Sequence, residues 1–177
     1  MAPSKIWCVN ARAKRFLEST AIKARQMIEQ SGWLDNLKRG DIGAIKTHMG
    51  EAYNVGYLRP VIVSTLVTML QEKGTRPFVT DTTTMPYHPW ISRTLAMDHL
   101  ETANRNGFNQ GTVGCPIVIA DGWLGTDDVL IDLKGRGNYL TKQFGSRAIA
   151  DADARLSIAH FKGHPAGGYG ASLKNIG

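Results

Sequence analysis

Four residues able to move protons or ligate ions each follow a short apolar run. His48 follows Ile42–Thr47, Asp81 follows Pro77–Thr80, Asp121 follows Pro116–Ala120, and His160 follows Arg155–Ala159. If those runs are parallel strands, all four side chains reach one edge of a sheet. Open α/β sheets bind their ligands there, beyond the carboxyl ends of the strands. Taken singly, Asp81 and Asp121 read first as helix caps or turn formers. Histidine is a poor turn residue, so His48 and His160 read as functional. The edge therefore predicts a shared crevice lined by His48, Asp81, Asp121 and His160.

The densest cluster is His160-Phe161-Lys162-Gly163-His164. Spacing of four would put both histidines on one face of a helix and suit a metal. Gly163 and Pro165 argue instead for a loop, which can still bring two imidazoles round one ion. His48, His160 and His164 are thus the candidate metal ligands; the competing reading is one packed histidine and one exposed one. Lys162 can bind a phosphate or carboxylate, or act as a base or imine former if desolvated. With His160 and Lys46 it makes up the catalytic candidates.

Gly167, Gly168 and Gly170 follow, then Lys174 and Asn175. Closely spaced glycines let backbone N–H groups approach an anion, so these five residues are the candidate anion or cofactor cradle. The run is neither a P-loop nor a dinucleotide fingerprint. Without a ligand, residues 161–172 are expected to be mobile. The second cluster is Lys46-Thr47-His48-Met49-Gly50-Glu51. A lysine inside an apolar strand either faces solvent or points at a ligand. Glu51, Asp81 and Asp121 are candidates to orient the groups that do the chemistry. Arg59 and Arg93 sit at helix starts, where an anion would be welcome, and Tyr87, His88 and Trp90 form a Pro-punctuated loop that could act as a lid.

The elements that position these residues alternate. Strand-like runs are Ile6–Val9, Ile42–Thr47, Pro77–Thr80, Pro116–Ala120 and Arg155–Ala159. Between them, helical patterns cover Ala13–Ser31, Leu58–Lys73 and Ser92–Asn106, with a short piece at Ser146–Ala150. Strands separated by helices imply a mostly parallel sheet with helices on both faces. Val129–Leu133 and Tyr139–Lys142, joined by a turn at Gly135–Asn138, predict a small antiparallel hairpin insertion.

Length and composition bound the answer. The chain has 177 residues, 42% hydrophobic and 20% charged, enough for one domain with an ordinary core. No apolar run approaches a bilayer span. Cys8 and Cys115 are too few for a four-cysteine metal or cluster site, and read as free thiols of a cytoplasmic protein. The net charge of +6 is spread along the chain without an aromatic platform, so it reads first as solubility rather than nucleic-acid binding and licenses at most a weak preference for anionic ligands.

The strings IKTHMGE, RPFVTDT, NRNGF, VIADG and AHFKGHPAGGYGASLKNIG resemble the family called domain of unknown function 362. The resemblance spans nearly the whole chain in the same order, and HFKGH with the glycines and LKN is its most specific part. It implies an iron–sulfur association, because many members carry a module of clustered cysteines. In that family the domain runs on beyond LKNIG, so residues 1–177 are expected to be the N-terminal part of a longer protein. Any cluster would then be held by residues this sequence does not contain. Self-association, an iron–sulfur module or a ferredoxin-like partner are the expected protein contacts.

Three functions compete. The first is a redox enzyme or maturation protein that binds an anionic substrate or cofactor at the strand ends. The second is a non-redox metal-dependent enzyme using His48, His160 and His164. The third is a binding or assembly module without chemistry.

Overall fold

The computed structural model describes residues 5–86, 91–165 and 167–176. Its centre is a four-stranded parallel sheet in the order β3-β2-β1-β6, with β1 at Ile42–Thr47, β2 at Arg76–Asp81, β3 at Ile117–Ile119 and β6 at Ala154–Ile158. Four of the five expected strands are present, parallel to one another as expected. Their carboxyl ends therefore share one edge, and it carries Thr47-His48, Asp81, Ile119 and Ile158.

Helix α1 (Thr20–Ser31) starts where Ser19 accepts a hydrogen bond from the Ile22 N–H and stops at Gly32 in the left-handed conformation. Helix α2 (Pro60–Glu72) opens on proline, which costs no hydrogen bond in a first turn. It buries Val63, Leu66, Val67, Met69 and Leu70 against Ile45 and Val79 of the sheet. Each such side chain contributes about 1.5–3 kcal/mol on leaving water. Gly43 makes this contact possible: a Cβ there would lie 2.7 Å from Leu70 Cδ2. Helix α3 (Ala96–Arg105) and the single turn α4 (Gln110–Val113) complete that layer, adding Ala103, Phe108 and Val113 to the core.

The opposite face of the sheet is covered more thinly. It carries an antiparallel hairpin of β4 (Asp128–Asp132) and β5 (Lys142–Ser146), and two short helices, α5 (Arg147–Ala150) and α6 (Ser172–Ile176). The hairpin was expected, but its return strand lies later than Tyr139–Lys142. Residues 133–141 form the connection, with Lys134 and Gly135 both at positive φ.

Two other expectations fail. Ile6–Val9 is not a strand: residues 5–15 are exposed and have no sheet neighbour to pair with. β propensity without a partner leaves backbone groups to water. The segment after His160 is more regular than a loop. β7 (Lys162–His164) pairs antiparallel with β8 (Gly168–Gly170), setting Lys162 opposite Gly170 and His164 opposite Gly168. Tyr87, His88 and Trp90 lie outside the described residues. No described helix is long and apolar enough to cross a membrane.

Candidate functional site

The site is built from the end of β1. Met49 turns inward and is fully buried, and Gly50 takes φ +95°, a conformation that favours glycine. A Cβ on Gly50 would meet Asn106 Nδ2 at 2.3 Å, and that amide donates to the Met49 carbonyl. The turn sends Glu51 toward the 92–93 segment. One Glu51 oxygen accepts from the Ser92 N–H and hydroxyl, and the other accepts from Arg93 Nε at 2.8 Å. Burial would raise the Glu51 pKa, but these donors outweigh it and hold the carboxyl below its ordinary value.

Asp81 is the hub. Its side chain is almost wholly buried and gathers four basic groups. Oδ1 accepts from Lys46 Nζ at 2.5 Å and from the Thr82 N–H at 2.9 Å. Around Oδ2 stand His99 Nε2 at 3.3 Å, His48 Nδ1 at 3.7 Å and Arg93 Nη1 at 3.7 Å. None is aligned as a hydrogen bond, so Oδ2 and both ring nitrogens of His99 are buried without such a partner. Burial pushes the Asp81 pKa up, yet the two imidazoles and the Lys46 ammonium more than offset it. The carboxyl is held well below its usual range.

Lys46 is accordingly neither solvent-facing nor free to point at a ligand. Its ammonium is shared between Asp81 and Asn175 Oδ1, while Asn175 Nδ2 donates back to the Lys46 carbonyl and to Ser157 Oγ. Asn175, expected in an anion cradle, instead ties α6 to β1 and β6. Asp121 also serves structure: both its oxygens accept from the Thr83 N–H at 3.0 Å and one accepts from the Thr83 hydroxyl. Asp81 turns from a presumed cap into the centre of the site, and Asp121 keeps the role of a turn brace.

The crevice above Asp81 is positive. His48 is half-buried beside it, and its pKa is lowered, first by burial and then by the charges of Arg93 and Lys162, against the opposing pull of Asp81. Burial and the two neighbouring cations thus favour its neutral form. The Lys162 and Lys174 side chains flank Gly170, each within 4 Å of where a Cβ would stand. Neither forms an ion pair among the described residues. The His164 pKa is lowered by the little burial it has and by these two lysines, and its Nδ1 accepts from the Gly167 N–H. Its Nε2 is therefore the nitrogen left to donate outward. Gly168 and Gly170 oppose His164 and Lys162 across the hairpin, so no cross-strand side chain covers that face.

The histidines do not form a metal set. His160 is exposed two residues past β6, and among the described residues no three His, Cys, Asp or Glu side chains gather to hold an ion. A cleft of about 300 Å³ beside α1 and α2 is lined by residues already paired with one another, Arg25–Glu72 and Lys73–Asp35.

The model of one family, domain of unknown function (DUF362), matches residues 44–176. The chain belongs to the DUF362 family. The match begins inside β1 and takes in every residue of the Asp81 cluster and of the β7–β8 hairpin, leaving α1 outside. No curated protein and no solved structure is similar enough to match.

Sequence reasoning missed His99 and gave Arg93 no partner. The helical spacing of Ala96, His99, Thr102 and Ala103 marks a buried face on α3, and a histidine on that stripe was the available signal.

Proposed function

We propose that this DUF362 domain binds a small phosphate- or carboxylate-bearing ligand at the carboxyl edge of its sheet. His48, with Asp81 beside its Nδ1, is the group that accepts or returns a proton there. The observation that carries this reading is the contrast in pairing. Lys46 and Arg93 are matched with Asp81 and Glu51, whereas Lys162 and Lys174 round Gly170 have no ion pair among the described residues, and His48 faces the field of Lys162. Uncompensated cations at a half-buried edge favour an anion.

For the wider setting we draw on the resemblance alone. We place the domain in a redox enzyme or maturation protein of the cytoplasm, working with an iron–sulfur module or a ferredoxin-like partner. Cys8 and Cys115 are free thiols, one exposed and one buried, so cluster ligands would come from elsewhere. Exposed Phe144, Leu173 and Ile176 suit such a partner or a second copy of the chain. The metal-dependent reading on His48, His160 and His164 has no geometric support, since those residues form no ligand set.

Calorimetric titration with inorganic phosphate tests the reading. Lys162→Ala should weaken binding by about tenfold, the scale of one charge-assisted hydrogen bond. Lys142→Ala, on the remote β4–β5 hairpin, should leave it unchanged. Equal losses in the two variants would reduce the effect to net charge and remove the site.

A further inference from the structure

The thinly covered face of the sheet borders a second space, open to solvent past Phe144 and Ile176. A cavity of about 550 Å³ lies between the strands and the β4–β5 hairpin. Its size falls within the roughly 300–1,000 Å³ of small-molecule sites. The period-2 alternation of β1 and β6 puts Ala44 and Lys46 beside Arg155 and Ser157 on this face. Most of the remaining side chains that wall it are apolar: Ile131, Phe144, Ile149 and Ile176.

The polar lining is one-sided. Among the described residues no Asp or Glu lines the cavity, and two cations do. Lys46 is already balanced by Asp81. Arg155 is not: among the described residues it meets no carboxylate. Its Nε donates to the Ile149 carbonyl at 2.6 Å and its Nη2 to the Ala150 carbonyl. Those two bonds hold the guanidinium plane on the last turn of α5 and leave its Nη1 edge unpartnered. A guanidinium fixed along one edge presents the other as a fork for a planar carboxylate.

We propose that this cavity is a binding site for a monocarboxylate with an apolar body, its carboxylate on Arg155 and its body against Phe144, Ile131 and Ile176. One unbalanced cation calls for a single negative charge, and the apolar wall calls for a hydrocarbon or aryl body rather than a sugar. The site borders the phosphate site proposed at the strand ends, sharing Lys46 and Asn175 with the Asp81 cluster, but neither Lys162 nor Lys174 lines it.

Calorimetry with octanoate, octan-1-ol and acetate on the full chain tests the proposal. Octanoate should bind about tenfold more tightly than octanol, as one charge-assisted contact predicts, and acetate should bind far more weakly than either. Arg155→Gln keeps donors for the α5 carbonyls and should bring octanoate down to the level of octanol. Phe144→Ala, at an exposed position, should weaken octanoate and octanol together. Lys162→Ala should change neither, so a failure at the strand-end site would not register here. Equal binding of octanoate and octanol by the native chain, acetate matching octanoate, or a preference for octanoate that survives Arg155→Gln would each overturn the assignment.

Discussion

The Asp81 cluster and the β7–β8 hairpin are made of the same residue types and behave in opposite ways. Round Asp81, Lys46, His48, Arg93 and His99 crowd a carboxylate that is almost wholly buried, and Glu51 takes the second half of Arg93. On the hairpin side, Lys162, Lys174 and His164 have glycines for neighbours and no acid among the described residues. A buried charge must find its partner within the protein, because desolvation is too costly otherwise. A cation at the surface can wait for a partner from solution. The first cluster is therefore the rigid seat of the site, and the second is where a ligand completes the pairing. His48 stands between them and feels both.

The sharpest way to break this contrast is Asp81→Ala. It strands Lys46 beside two imidazoles and a guanidinium, and removing one partner of a buried pair costs about 3–5 kcal/mol. Urea unfolding should show that loss, and a stability change close to zero would mean the cluster is not the seat proposed. The same carboxylate sets the acid limit. Its folded pKa lies well below the ordinary 3.8, so its stabilisation is complete above that value and disappears as the pH falls through the lower folded pKa. Asp81→Asn should flatten that acid-side fall in stability. At the hairpin the pattern reverses. Lys162→Ala should leave the unfolding midpoint unchanged while costing about tenfold in phosphate affinity. His164→Ala should produce the smallest change, a modest loss of phosphate affinity with no loss of stability. An unfolding defect in either hairpin variant would erase the distinction between the two regions.

Much of this arrangement was legible in the sequence, for definite reasons. Ile42–Thr47, Pro77–Thr80 and Pro116–Ala120 are compact apolar runs of the kind parallel strands require, and each leads to an ionisable residue. That located the edge and three of its groups. What could not be read was pairing. Lys46 looked available because no linear pattern shows that Asp81, 35 positions later, lies 2.5 Å away. His99 was hidden on a helix whose buried face also carries Ala96, Thr102 and Ala103. The β7–β8 hairpin reads as a loop in the sequence because Lys-Gly-His and Gly-Tyr-Gly show no alternation of apolar residues; backbone register alone makes them strands. Ile6–Val9 erred the other way, with strand-like side chains and no neighbouring strand.

The central claim is that unmatched hairpin cations and a neutral His48 make one anion site. The NMR titration of the His48 imidazole, with and without inorganic phosphate, tests it most directly. In the free protein its pKa lies below the ordinary 6.5, lowered by burial and by Arg93 and Lys162. A bound anion stabilises the imidazolium, so phosphate should raise that pKa. Linkage then requires proton uptake on binding and tighter binding as the pH falls between the two values. The rise should shrink in Lys162→Ala and persist in Lys142→Ala. A His48 pKa that phosphate leaves unmoved in the native chain would contradict the account.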